Sequence, residues 1–187
     1  VIRAFIAINI TPATIEKIGA AIVTLRGSLS DVRWVNLDNI HLTLKFLGNV
    51  DESQVDPIGN ALARHVKPFS RFDISARGLG VFPGPRRPRV LWVGLDQPQL
   101  TELAATIEAA LIPLGFPPEQ RGFQPHLTIG RFREFNTSAK KLAEELERWK
   151  SHPFGVSNVD RVTFFESVLR PDGALHRPLK VIALADR

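Results

Sequence analysis

The chain is written twice. Arg3-Ala-Phe-Ile-Ala-Ile-Asn9 returns as Arg89-Val-Leu-Trp-Val-Gly-Leu95, and Pro12 returns as Pro98, both 86 residues later. His41-Leu-Thr-Leu44 returns as His126-Leu-Thr-Ile129 at an offset of 85, so one net deletion reconciles the two registers. A period of this length means two copies of one supersecondary plan, which bury their apolar faces together. In each copy an alternating β-rich run comes first, followed by a helix opened by proline. Thr11 reads as the N-cap of the first helix, with Ile15, Ile18, Ile22, Leu25 and Leu29 recurring at helical spacing. Leu100, Leu103, Ile107, Leu111 and Leu114 do the same after Pro98. Each helix leads back to a strand, Ile40 to Leu47 and Pro125 to Ile129.

The parallel continues. Ser53 to Val66 and Ser138 to Trp149 read as helices; Phe69 to Ala76 and Val159 to Leu169 read as strands. Gly78 to Pro88, rich in Gly, Pro and Arg, reads as the crossover between copies. Leu179 to Leu184 reads as a last strand after the turn Pro171-Asp172-Gly173. The fold class expected is α+β and bilobal: pseudo-two-fold, duplicated sheet-plus-helix lobes with mainly antiparallel strands around a central cleft. The domain expected is a single bilobal one over residues 1–187, with internal repeats of roughly 1–85 and 86–187.

Composition removes several function classes. The 187 residues contain no cysteine, which excludes disulfides, thiolate nucleophiles and Cys-based zinc sites. No apolar run approaches the roughly 18 residues of a membrane span, and Val1 to Ile10 is too short and polar-flanked for a secretory signal. The expectation is a cytoplasmic monomer away from membranes. Lys and Arg total 24 against 19 acids, a net charge of +5, which favours phosphate-bearing partners without proving one.

The repeated His-x-Thr carries the chemistry. On a strand, residues i and i+2 share a face, so His41 projects with Thr43 and His126 with Thr128. Leu42, Leu44, Leu127 and Ile129 point the other way into packing. Two facing copies bring two imidazoles and two hydroxyls into one cleft. One neutral imidazole can take a proton from water attacking phosphorus, and the opposing imidazolium can protonate the departing oxygen. The threonine hydroxyls can donate to the non-bridging oxygens as charge grows there. One His-x-Thr is weak evidence; two in matching contexts are strong. No His-x-x-x-His and no acidic companion adjoins either motif, so neither a metal nor a cofactor is expected.

These residues resemble the 2H phosphoesterase superfamily. The flanks resemble its RNA 2′,3′-cyclic phosphodiesterase branch, also called 2′-5′ RNA ligases. They are Arg33-Trp34-Val35, Asn39-Ile-His-Leu-Thr-Leu-Lys-Phe-Leu-Gly48, Gly78-Leu-Gly-Val-Phe82, Pro85-Arg-Arg-Pro-Arg-Val-Leu-Trp92 and Pro125-His-Leu-Thr-Ile-Gly-Arg131. The resemblance implies RNA ends, or nucleotides, bearing a 2′,3′-cyclic phosphate, hydrolysed to the 2′-phosphate, with 2′-5′ ligation as the related reverse reaction. It also implies His41 as general acid and His126 as general base, an order that the pseudo-symmetry leaves reversible.

Lys45, Phe46 and Arg131 are the candidate substrate-binding residues. Lys45 shares the parity of His41 and Thr43, so it reads either as a phosphate ligand or as a solvated strand-end lysine. Gly130, its counterpart, leaves room for a close approach. Arg131 falls on the wrong parity unless a bulge turns it towards the cleft. Phe46 holds the equivalent place in the first copy, where core packing is the plainer reading and base stacking the functional one. Arg86, Arg87 and Arg89 form a basic cluster in a turn-rich segment. Trp34 and Trp92 read as core or lobe-interface residues, and His65, His152 and His176 as structural or surface residues; His176 stands where the family usually has tyrosine. The competing classes are a non-catalytic RNA or nucleotide binder and a phosphodiesterase of small cyclic nucleotides.

Overall fold

Strand β1 (Ile2–Asn9) is covered on both sides. Ala4, Ile6 and Ile8 belong to the main core, while Phe5 and Ala7, of opposite parity, cluster with Phe165 on the other face. In this computed structural model residues 1–186 are described, and Arg187, the last residue of the expected domain, lies outside them. Helix α1 (Pro12–Arg26) begins at its proline as expected and buries Ile18, Ile22 and Leu25. Thr11 precedes it, but its hydroxyl meets Ser157 Oγ at 2.9 Å rather than capping the helix. Strand β2 (Val32–Trp34) and a 3₁₀ turn over Leu37–Asn39 lead into β3 (His41–Val50). Helix α2 (Val55–Val66), β4 (Phe72–Phe82), β5 (Val90–Asp96), α3 (Pro98–Leu111) and β6 (His126–Phe132) follow. Helix α4 (Ala139–Trp149), β7 (Pro153–Val159), β8 (Arg161–Arg170) and β9 (Gly173–Ala183) complete the chain.

The described residues form an α+β fold with the strand order β7-β4-β5-β6-β3-β1-β8-β9, and β2 pairs with β6 off this path. Every named pairing is antiparallel. Two four-stranded halves meet at the central strands, β3 and β6, through one residue pair, Leu42 with Leu127. The pseudo-two-fold relation passes through that pair.

The halves are not the two sequence repeats. After α2 the chain crosses to pair β4 with β5, and after α4 it returns to pair β8 with β1. The helices cross as well, since α1 packs on β7 and α3 on β3. Each half therefore includes strands of the other repeat, β4 in one and β8 and β9 in the other.

Three boundaries differ from the sequence reading. Residues 78–82 are strand, not crossover, because Gly78 makes a bulge inside β4 instead of ending it. Gly78 has φ +74°, the ladder slips between Arg77 and Leu79, and a Cβ there would lie 2.5 Å from the Lys150 carbonyl oxygen. Strand β7 begins at Pro153 and carries Gly155, residues that weaken a strand signal but are tolerated at a sheet edge, which is where β7 lies. Strand β9 runs from Gly173, six residues earlier than expected, because its outer stretch, Gly173 to Pro178, mixes small, apolar and charged residues without hydrophobic alternation.

Candidate active site

Leu42 and Leu127 are almost fully buried, so their neighbours His41, Thr43, His126 and Thr128 turn to the opposite, open face. The antiparallel register, continued by one residue, sets His41 across from Thr128 and Thr43 across from His126. On this diagonal the two histidine Cα atoms lie about 8 Å apart, from the rise and spacing of paired strands. All four side chains are half-buried. Neither threonine hydroxyl has a hydrogen-bond partner among the described residues, which leaves both free to donate to a ligand.

Both imidazoles are fixed in the same way. His41 Nδ1 lies 2.7 Å from the Asn39 carbonyl oxygen, and His126 Nδ1 lies 2.7 Å from that of Gln124. A carbonyl only accepts, so each Nδ1 carries the proton and each neutral ring presents a bare Nε2. The Asn39 side chain donates to the Ala174 carbonyl at 2.8 Å, which anchors the turn holding His41.

The surroundings are aromatic. The Phe5 ring stacks on His41 at 4.8 Å, and His176 meets His41 edge-on at 5.0 Å. Phe82 meets His126 edge-on at 5.0 Å and leans on Trp92. Burial pushes the His41 imidazole down to about 4; the charge of His176 adds to the depression, and the bond to Asn39 opposes it. Burial also lowers His176. In the free protein His41 is thus neutral at pH 7.

The substrate-binding candidates divide. Lys45 does not reach the cleft: it is 3% exposed, paired with Glu108 Oε1 at 3.1 Å, and it donates to the Pro117 carbonyl at 2.9 Å. The cause is a bulge. Ile6 opposes Lys45 and Ala7 opposes Thr43, so Leu44 is an extra residue and parity reverses beyond it. Both readings of Lys45 made from plain alternation are corrected by that one residue. The reversal also overturns core packing for Phe46, which stands 66% exposed on the histidine face with its ring 6.3 Å from Phe5.

The second copy has the same irregularity. Leu91 opposes Gly130 and Trp92 opposes Thr128, so Ile129 is the extra residue and Arg131 turns to the cleft face, exposed. Gly130 is a close approach, as expected, but the approach is made by β2: a Cβ there would lie 2.4 Å from Val32 Cγ1. Trp34 packs on the core, and Arg86, Arg87 and Arg89 lie exposed between β4 and β5. His65 bonds back to the Ala61 carbonyl, and His152 packs between Trp149 and Phe154, both structural placements.

Sequence reasoning missed four members of the site. His176 was read as structural or peripheral, yet it touches His41. Phe5 and Phe82 flank the two imidazoles, and Arg33 stands across the ladder from Arg131. The parity of Phe5 against Ile6 and Ile8 was the one signal available. His176 and Phe82 reach the site through strand exchange, which no local pattern records.

The described residues contain no cluster of three or more His, Cys, Asp or Glu side chains able to hold a metal, and no helix long and apolar enough to cross a membrane. The sequence profile of the LigT like Phosphoesterase family matches the chain twice in succession, over residues 13–92 and 93–176. An RNA 2′,3′-cyclic phosphodiesterase of Methanothermobacter thermautotrophicus is 33% identical over 184 residues, 98% of this chain and 99% of that protein. One of Archaeoglobus fulgidus is 34% identical over 180 residues, 96% and 98% of the two chains. Among solved structures, Escherichia coli LigT complexed with 3′-AMP superposes with a TM-score of 0.77 at 26% identity over 98% of each chain. A second phosphoesterase crystal structure gives 0.80 at 26% identity and the same coverage. The chain is a member of the LigT-like phosphoesterase family.

Proposed function

We propose that this chain is a phosphodiesterase that opens the 2′,3′-cyclic phosphate at an RNA end to leave a 2′-phosphate and a free 3′-hydroxyl. Relatives named RNA 2′,3′-cyclic phosphodiesterase, alike over nearly the whole chain, support the activity. The observation that carries the mechanism is the matched pair of imidazoles. His41 and His126 come from adjacent antiparallel strands and share one face, with each Nδ1 tied to the carbonyl two residues back. Each repeat supplies one of them, so residues 1–187 act as one catalytic unit.

His126 Nε2 takes a proton from water as the water oxygen bonds to phosphorus. The P–O3′ bond breaks, and His41 Nε2–H gives its proton to O3′. Thr43 and Thr128 donate to the two non-bridging oxygens, whose charge increases in the transition state. His41 is neutral in the free protein, so its acid role requires the substrate: the phosphate anion offsets the burial penalty and draws a proton onto the ring. Microscopic reversibility gives re-closure of the 2′-phosphate on the 3′-hydroxyl, with loss of water, as the reverse path; 2′-5′ ligation follows when a 5′-hydroxyl replaces water as the nucleophile and O3′ again leaves.

The test is hydrolysis of adenosine 2′,3′-cyclic phosphate in excess chelator, with identification of the isomer formed. Adenosine 2′-phosphate is expected, with losses of about 10²–10⁴ in kcat for His41→Ala or His126→Ala. The 3′-isomer would remove the proposed leaving group, and binding without turnover would make the chain a nucleotide binder.

A further inference from the structure

The segments that lead into the two imidazoles are built differently. His41 follows a 3₁₀ turn that bonds within itself: Asn39 N donates to the Asn36 carbonyl at 2.8 Å and Ile40 N to the Leu37 carbonyl at 3.2 Å. The Asn39 side chain then ties that turn to Ala174. His126 instead follows residues 115–125, which belong to no helix or strand. Among the described residues, 117–124 make no backbone–backbone hydrogen bond, and the exposed Gln124 side chain makes none either. Yet it is the Gln124 carbonyl, 2.7 Å from Nδ1, that orients the His126 ring.

This unbonded segment is held by a buried ion pair that takes no part in proton transfer. Lys45 Nζ donates to Glu108 Oε1 at 3.1 Å and to the Pro117 carbonyl at 2.9 Å. The same Oε1 accepts from Glu119 N at 2.9 Å. The pair thus seizes the chain on both sides of Pro118, by an acceptor before it and a donor after it. Both bonds are charge-assisted, and the Lys45 side chain is only 2% exposed, so water offers little replacement for either. Lys45 lies on β3, four residues beyond His41, and is turned beneath the strand by the extra residue Leu44. Its counterpart on β6 is Gly130. The clamp therefore exists in one repeat only, and it serves the approach that has no bonds of its own.

The clamp sets how much free chain precedes Gln124. With it, the stretch without a hydrogen bond to the rest of the fold is 120–123; without it, the nearest bond is Phe116 N to the Leu111 carbonyl, and the free stretch becomes 117–123. Phe116 and Phe123 still rest on the core, so the chain between them would shift without unfolding. An acceptor that shifts no longer selects one tautomer and one orientation of the ring it serves. A misplacement of about 1 Å in a reacting group can cost about 10² in rate.

We propose that Lys45 and Glu108 are positioning residues for His126: their buried pair clamps residues 117–119 and so fixes the carbonyl that holds this imidazole in register. The strand carrying one histidine thereby steadies the approach to the other. The effect on turnover rests on the phosphodiesterase reading; the effect on the ring does not.

Two variants and two readouts test this. Lys45→Met breaks the clamp at its centre. Glu119→Pro removes the amide donor of the exposed segment and leaves the buried pair whole, so it keeps the test available should Lys45→Met not fold. Each is assayed at a temperature where urea unfolding shows it folded. By ¹⁵N NMR at alkaline pH, wild-type His126 is expected as the single Nδ1–H tautomer, and both variants as a mixture of tautomers with the His41 signals unchanged. With adenosine 2′,3′-cyclic phosphate, each variant is expected to lose about tenfold in kcat with KM changed less than about twofold. In a His126→Ala background the same substitutions should change kcat by less than about twofold, because the group they position is gone. A loss of equal size in that background, or a His126 tautomer that neither variant disturbs, would reduce the pair to a contact that only stabilises the fold and overturn the proposal. If the wild-type protein did not hydrolyse the substrate, the phosphodiesterase reading would fail, and the tautomer measurement would still decide whether the clamp holds the ring.

Discussion

His41 sits in a protonation state set by its neighbours, and this has two measurable results. Its folded value of about 4 lies below the ordinary value of 6.5, so the unfolded chain binds more protons between these limits. Stability is therefore complete above pH 6.5 and is lost as pH falls towards 4, by about 3 kcal/mol for this residue. His41→Asn is expected to flatten that slope in urea titrations at pH 4.5 and 7; an unchanged slope would contradict the burial argument. The second result concerns the ligand. Titration of His41 by NMR is expected to move upward when 3′-AMP is bound and, in the free protein, when His176 is replaced by phenylalanine, which removes the neighbouring charge but keeps an edge-on ring. A His41 titration that 3′-AMP does not move would exchange the acid and base assignments.

At the scale of single elements, one inserted residue in each central strand decides what faces the substrate. The cost of reading β3 by strict alternation was Lys45, placed on the cleft face when it lies beneath the strand. Its side chain is 2% exposed, against a Glu108 carboxylate that also accepts from Glu119 N. Removing one member of such a pair leaves the other charge stranded, so Glu108→Ala is expected to cost about 3 kcal/mol by denaturant unfolding. Lys45→Met, which strands only the partly exposed carboxylate, should cost less. The motif histidines, their threonines and both proline-led helices were legible in the sequence, because strand parity and helical spacing are local and strong there. Phe46 and Lys45 were not, because a bulge leaves no mark in a run as apolar as Leu42 to Leu47. Residues 78–82 were hidden for the opposite reason: a glycine that turns a strand resembles one that ends it. Strand β7 and the outer half of β9 escaped because edge strands need no buried alternation.

Over the whole molecule, the duplication that shows so clearly in the sequence does not survive as two separable bodies. Strand β1 needs β8 as well as β3, β5 needs β4, and α1 rests on β7, so residues 1–85 alone lack one neighbour of their first strand and the strand under their first helix. That fragment is expected to give the far-UV spectrum of an unfolded chain. The intact protein should unfold in a single transition. Its three tryptophans all report on one half: Trp34 on β2 beside β6, Trp92 on β5, and Trp149 on α4, which packs against β4. Fluorescence and circular dichroism curves that coincide would agree with interlocked repeats, whereas an earlier fluorescence transition would mean that the halves melt independently.

Within this interlocked body the central strands share a single rung, Leu42 with Leu127. A side-chain change that reshapes one bank of the groove thus meets the far bank at one rung and through the helices packed across both, not along a ladder of amide bonds. Substrate preference can drift on either bank while the proton-transfer pair stays where it is. A molecule jointed in this way can trade one clientele for another by altering a few residues on one strand.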